Sequence, residues 1–157
     1  MEIERKFLVA GDGWRNRAEG VMFRQGYIAR TNNRTVRIRL AGSRGILNIK
    51  FRGSGIARSE FEYEIPAEEA SALLAGLQQD EIIEKTRYTF EQEGSVWEVD
   101  EFHGSNEGLV IAEIELASED QPFVRPDWLG EEVSHISKYL NSELSRSPYS
   151  SWEQRNS

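Results

Sequence analysis

Glu2 and Glu4, Glu98 and Asp100, and Glu113 and Glu115 are carboxylate pairs separated by one residue, and Arg37 and Arg39, Lys50 and Arg52, and Lys85 and Arg87 are cation pairs with the same spacing. In an extended chain alternate side chains point the same way, so each pair stands on one face of a strand. Carboxylate pairs such as Glu2/Glu4 and Glu113/Glu115, brought side by side, make an oxygen-only site suited to Mg2+ or Mn2+ rather than to a soft metal. The cation pairs offer guanidinium forks and ammonium point charges to phosphate oxygens, contacts that strengthen in a partly desolvated cavity as charge develops during phosphoryl transfer. Together the two sets suit a polyphosphate, cleaved by in-line attack of a metal-activated or carboxylate-positioned water with no covalent intermediate.

The elements that must carry these pairs are legible as period-two alternation of polar and apolar residues. Eight such segments run at 2–9, 22–30, 34–40, 45–52, 58–65, 82–91, 95–103 and 109–117. In the first, Ile3, Phe7 and Val9 oppose Glu2, Glu4 and Lys6; in the fifth, Phe61, Tyr63 and Ile65 oppose Glu60, Glu62 and Glu64. Thr31-Asn32-Asn33 and Ala41-Gly42-Ser43 read as hairpin turns, which makes sequence neighbours into strand neighbours in an antiparallel meander. Pro66 followed by Ala67-Glu68-Glu69-Ala70 and by Leu73, Leu74 and Leu77 predicts an amphipathic helix, with Gly76 weakening its end. A last helix is predicted to start after Pro126-Asp127-Trp128-Leu129-Gly130, since Val133, Ile136, Tyr139, Leu140 and Leu144 are spaced for one apolar face, and the Ser-rich end from Ser145 is expected to fray.

A solvated face on an antiparallel sheet would also produce this alternation. Against it stand the same-sign pairs, because a surface built for solubility mixes its charges whereas concentrated like charge suits a multivalent partner. Eight strands closed into a barrel either pack their interior or hold one small ligand, and a charged lumen selects the ligand. The fold class expected is α+β, mainly β, with eight antiparallel strands, flanking helices and a C-terminal helix, the strands either closed into an eight-stranded antiparallel barrel or open with a solvated face.

The chain has 157 residues, the size of one domain, and a formal charge of −8, which argues against nucleic acid as a partner because such binding needs a broadly basic surface. It contains no cysteine, which excludes disulfides, thiolate nucleophiles and Cys-based metal sites and fits a reducing, cytoplasmic location. No stretch has the length and apolarity of a membrane span or signal peptide, so a soluble protein without a membrane partner is expected. His103 and His135 lack triad partners at a recognisable spacing, and Gly11-Asp12-Gly13 and Gly53-Ser54-Gly55 lack the Lys-Ser/Thr continuation of a P-loop. The four tryptophans are spread without basic interleaving and read as packing or surface residues.

The opening Glu2-Ile3-Glu4-Arg5-Lys6 resembles the Glu-X-Glu-X-Lys signature of the CYTH, or triphosphate tunnel metalloenzyme, family. Val36-Arg37-Ile38-Arg39, Ile49-Lys50, Glu60-Phe61-Glu62-Tyr63-Glu64, Lys85-Thr86-Arg87, Glu98-Val99-Asp100 and Ala112-Glu113-Ile114-Glu115-Leu116 resemble its later motifs in the family's order. The ending, Trp128 to Ser134 and then Tyr139-Leu140-Asn141, is similar to the family's C-terminal helix, with Ser134 where Thr is commoner. The resemblance implies one tunnel domain over residues 1–145, a tail at 146–157, and hydrolysis of inorganic triphosphate with Mg2+ or Mn2+. It assigns metal binding to Glu2, Glu4, Glu113 and Glu115, and Lys6, Arg37, Arg39, Lys50, Lys85 and Arg87 to the substrate; Arg52 and Arg58, next to predicted strand ends, are further candidates for phosphate, with an exposed solubilising charge as the alternative. By the same analogy Glu60 and Glu62, with Glu98 and Asp100, are inward acids that organise basic neighbours, position water or add metal ligands, and Lys85, Glu62 and Tyr27 are candidate catalytic residues, with packing as the alternative for Tyr27. A triphosphate-containing small molecule is the implied partner and a homodimer is admitted. The family also includes thiamine-triphosphatases and class IV-type adenylate cyclases, and a polyphosphate-binding module without catalysis is the alternative of a different class.

Overall fold

The structure, a computed structural model, describes residues 3–52, 58–139, 144 and 148–152. Nine strands lie within them: β1 (Ile3–Val9), β2 (Val21–Arg30), β3 (Arg34–Ala41), β4 (Arg44–Arg52), β5 (Arg58–Ile65), β6 (Ile83–Gln92), β7 (Ser95–Phe102), β8 (Val110–Leu116) and β9 (Leu129–Glu132), with one longer helix, α1 (Ala67–Ala75). The residues fall into two compact units, a central one from Met22–Glu84 and a terminal one assembled from Met1–Val21 and Lys85–Ser157. No helix among the described residues is long and apolar enough to cross a membrane.

The central unit is an antiparallel meander in the order β5-β4-β3-β2. Both expected hairpin turns form: the Thr31 amide donates to the Arg34 carbonyl at 2.9 Å, and Ala41 pairs with Arg44 around Gly42, whose φ of 61° is the left-handed conformation that such a turn requires. α1 starts after Pro66, carries Glu68 and Glu69 in its first turn, and buries Ala70 and Leu74 against Ile38, Leu40, Leu47 and Ile65. Gly45 permits this approach, since a Cβ there would stand 2.7 Å from the Ile65 carbonyl oxygen and 2.9 Å from Ala70 Cβ. The helix stops at Ala75, before Leu77; the Gly76 amide donates to the Leu73 carbonyl at 3.2 Å and the Leu77 amide to the Leu74 carbonyl at 3.0 Å.

The terminal unit is antiparallel in the order β6-β7-β8-β1-β9. Its apolar face is built on Phe7, Trp97, Val99, Ala112 and Ile114 and is covered by Trp14, Phe123 and Trp128, with Phe7, Phe123, Trp97 and Trp128 meeting edge to face at centroid distances of 5.4 to 6.0 Å. Trp14, Trp97 and Trp128 are thus core residues, which resolves the packing or surface reading in favour of packing.

The eight expected strands are present and β9 is a ninth among the described residues; β5 is an edge of the central unit and β9 an edge of the terminal one. The helix predicted to begin after Gly130 is overturned at its start, because Leu129–Glu132 extends and pairs with β1 through Phe7↔Glu132 and Val9↔Leu129. Gly130 is the reason the strand can lie so close: a Cβ there would come within 2.9 Å of the Leu8 carbonyl oxygen. Beyond it Ser137–Tyr139 is a 3-10 turn, Leu140 lies outside the described residues and Leu144 is buried. In the stretch expected to fray, Tyr149–Ser151 makes a second 3-10 turn and Trp152 is buried against Tyr139 and Tyr149.

Candidate functional site

The register of the terminal unit decides which charges meet. Glu4 stands opposite Glu115, Lys6 opposite Glu113, Glu98 opposite Glu113, and Arg87 opposite Asp100. Residues directly opposite share a face, so Glu4 and Lys6 of β1, Glu113 and Glu115 of β8, Glu98 and Asp100 of β7, and Lys85 and Arg87 of β6 all stand on the face away from the tryptophans. The alternation seen in each strand is thereby converted into one continuous charged surface.

Within that surface the deepest group is an ion cluster. Lys85 is fully buried and its Nζ lies 2.8 Å from Asp100 Oδ2. Arg87 donates through Nε to Asp100 Oδ1 at 2.7 Å and through a terminal nitrogen to Oδ2 at 2.8 Å, and reaches Glu98 at 3.2 Å. Lys6 Nζ lies 3.2 Å from Glu113, both being largely removed from solvent. Burial alone would push the Asp100 carboxyl up, but the Lys85 charge and the Arg87 hydrogen bonds outweigh it and hold Asp100 below the ordinary carboxylate range. Burial likewise pulls the Arg87 guanidinium down, and its hydrogen bonds to Asp100 together with the charges of Asp100, Glu98 and Glu113 reverse that and raise it above its usual value. Burial also pushes the Glu113 carboxyl up, and the charges of Lys6, Lys85 and Arg87 together outweigh it and lower Glu113.

Glu4 and Glu115 stand opposite each other across β1 and β8, and carboxylate oxygens are the ligands a hard divalent cation takes. Glu4↔Glu115 and Glu98↔Glu113 bring four of them into adjacent cross-strand positions. Among the described residues no three acidic or imidazole groups gather as tightly as a bound ion requires, because Glu113 leans to Lys6 and Glu98 to Arg87. The carboxylates fit such an ion in type and in cross-strand register, and the Glu113 and Glu98 side chains are turned to the neighbouring cations. Glu2 lies outside the described residues.

The central unit has a charged face of its own. Tyr27 pairs with Arg37, Gln25 with Arg39, Arg37 with Asn48, Asn48 with Glu62, and Lys50 with Glu60. Arg39 Nε donates to Gln25 Oε1 at 2.8 Å, and Asn48 Nδ2 donates to Glu60 at 3.0 Å and Glu62 at 3.2 Å. Two buried donors on this face, Arg37 Nε and Gln25 Nε2, have no acceptor among the described residues. Lys50 is exposed beside Glu60, and the Arg52 side chain lies outside the described residues. Sequence reasoning passed over Gln25 and Asn48 as site residues, although both are buried to 1 % exposure or less. The available signal was register, since each lies opposite an arginine.

Residues 1–148 match the CYTH domain family. The chain is 50 % identical over 153 residues, 98 % of both chains, to a protein of Acetivibrio thermocellus named inorganic triphosphatase. It is 37 % identical over 152 residues, 93 % of this chain and 97 % of the other, to a protein of the same name from Nitrosomonas europaea. Among solved structures, the crystal structure of an inorganic triphosphatase superposes with a TM-score of 0.74 at 34 % identity, covering 94 % of this chain and 95 % of the other. The signature carboxylates and cations, the antiparallel strands that set them on charged faces and the match over most of the sequence agree: the chain belongs to the CYTH domain family.

Proposed function

We propose that this protein hydrolyses inorganic triphosphate to pyrophosphate and phosphate with the help of a divalent cation. The observation that carries this reading is the charged face of the terminal unit, where Lys6, Lys85 and Arg87 are drawn out of solvent among Glu98, Asp100, Glu113 and their neighbours. Buried cations are costly unless they are paired, and Asp100, Glu98 and Glu113 pair these three and hold them on the charged face. The unmet donors of Arg37 and Gln25 call for a ligand that accepts hydrogen bonds. The names of the relatives add the substrate.

In this reading Lys6, Lys85 and Arg87, together with Arg37, Arg39, Lys50 and Arg52, bind the phosphate oxygens. Glu4 and Glu115, with Glu113, Glu98 and Glu2, would hold the cation, which when bound would neutralise phosphate charge and make water more acidic. Asp100, its two oxygens already accepting from Lys85 and Arg87, fixes both cations in place. Water attacks the terminal phosphorus in line; the P–O bond to the leaving pyrophosphate breaks, its electron pair stays on the pyrophosphate oxygen, and the basic residues stabilise the charge gathered there. Glu62, steadied by Asn48, and Tyr27 are the candidates for orienting that water. Closure of eight strands into a barrel is part of the proposal and rests on the family resemblance.

The test is phosphate release from inorganic triphosphate, ATP and thiamine triphosphate, each with and without Mg2+ or Mn2+, beside Glu4→Gln. Metal-dependent release from inorganic triphosphate alone, lost in the variant, is the expected result. Cyclic AMP and pyrophosphate from ATP would replace the reading with a cyclase, and tight triphosphate binding without turnover would replace it with a binding module.

A further inference from the structure

Lys6 is held from behind by a hydroxyl. In the β1/β8 pair Lys6 faces Glu113, while its backbone amide and carbonyl turn the other way, toward β9. β9 ends at Glu132, one residue short of where a ladder would satisfy both groups. The Val133 amide donates to the Lys6 carbonyl at 2.8 Å, and the Lys6 amide donates to Ser134 Oγ at 2.9 Å, so a side-chain oxygen stands where a backbone carbonyl would complete the sheet.

That hydroxyl is itself oriented. Ser134 donates to Glu132 Oε2 at 2.6 Å, and the Glu132 carboxylate is gripped by Arg5 through Nε at 2.9 Å and a terminal nitrogen at 2.6 Å. The alternative acceptor, the Lys6 carbonyl, lies at 3.4 Å and is uncharged, so the proton goes to Glu132 and a lone pair is left for the Lys6 amide. Arg5 in turn lies over the Phe7 and Phe123 rings, which ties the chain of contacts to the aromatic core. Side chains at Lys6 and at Glu4 project from this same stretch of backbone onto the charged face.

We propose that Ser134 is a positioning residue for triphosphate binding, acting through the Lys6 backbone, with Glu132 and Arg5 setting the direction of its hydroxyl. This rests on the triphosphate reading above. Losing the acceptor leaves a buried amide unmet at the base of a substrate-binding lysine, and small displacements of such a group weaken binding many-fold.

The experiment compares Ser134→Ala, Ser134→Thr and Glu132→Gln with wild type in triphosphate hydrolysis, in triphosphate binding by calorimetry, and in exchange of the Lys6 amide by NMR. Leu74→Ala, in the core of the central unit, controls for loss of stability alone. Expected are a KM and Kd raised about ten-fold in Ser134→Ala with kcat within about two-fold, recovery in Ser134→Thr, an intermediate effect in Glu132→Gln, faster Lys6 amide exchange, and an unchanged KM in Leu74→Ala. Unchanged KM and Lys6 exchange in Ser134→Ala, or an equal KM rise in Leu74→Ala, overturns the proposal; should Ser134→Ala not fold, Glu132→Gln decides by the same readouts. Wild type that binds triphosphate without turnover sinks the hydrolase reading and leaves the Kd comparison valid. Wild type that does neither leaves Lys6 exchange to decide whether Ser134 holds the strand.

Discussion

Asp100→Asn removes one negative charge from between two buried cations while keeping the shape of the side chain. In the wild type Asp100 accepts three short charge-assisted hydrogen bonds, two from Arg87 and one from Lys85, whose side chain has no exposed surface. At an effective dielectric of about 20, each opposite-charge pair at about 4 Å contributes about 4 kcal/mol, offset by the several kcal/mol it costs to desolvate the carboxylate. Leaving the cations uncompensated should therefore cost about 3–5 kcal/mol, a fall in melting temperature of about 6–20 °C for a chain of this size. Urea unfolding at pH 7 followed by circular dichroism would read the midpoint and the slope together, the slope reporting whether the two units still unfold as one. The double variant Lys85→Met/Asp100→Leu removes both charges of one pair and leaves Arg87 with Glu98, so it should recover at least half of the loss. A penalty below about 1 kcal/mol in Asp100→Asn, or a double variant no better than the sum of its single changes, would refute the view that this carboxylate exists to neutralise Lys85 and Arg87.

The Arg5 hydrogen bonds, followed by the one from Ser134, hold the Glu132 carboxyl down to about 2 against a modest opposing effect of desolvation. A carboxyl lowered on folding contributes stability that is complete above its unfolded pKa of about 4.3 and is lost as pH falls toward its folded value, so wild type should lose stability between about pH 4.5 and 2 in excess of Glu132→Gln, and parallel acid titrations of the two would refute it. Gly45→Ala should destabilise by about 1–3 kcal/mol in thermal melts because the new methyl meets the Ile65 carbonyl at 2.7 Å and Ala70 at 2.9 Å, whereas Gly11→Ala, with nothing within 4 Å, should not; equal effects would show that α1 does not rest on β4 as described.

The charged faces were legible because charge and apolarity alternate so regularly: Glu4 and Lys6 against Phe7, or Arg37 and Arg39 against Ile38, allow one assignment of faces once the residues are extended. Partnership within a face was not legible, since it depends on register. Glu98 and Asp100 look equivalent in sequence, yet Asp100 is enclosed by Lys85 and Arg87 while Glu98 keeps access to solvent. The C-terminal region was misread for a related reason. Val133, Ile136 and Tyr139 satisfy helical spacing, but Leu129–Glu132 gains a ladder with β1 that no local pattern reveals, and Gly130 carried the hint in lacking a side chain where two backbones meet. Arg5, on the apolar side of its strand, was the visible exception whose partner Glu132 was hidden in the supposed helix.

The order of strands in the terminal unit also bears on how the protein is made. β1 is held between β8 and β9, and Glu4 meets Glu115 only after roughly a hundred further residues have left the ribosome, about 5–20 s at ordinary rates of synthesis. The central unit, built from hairpins and a neighbouring helix, can form during that interval from contacts local in sequence. A nascent chain halted before β8 would therefore carry a completed central unit together with an unpaired β1, bearing Arg5, Lys6 and Phe7 on an open edge. That half-made species, rather than the finished protein, is the form with most need of a chaperone.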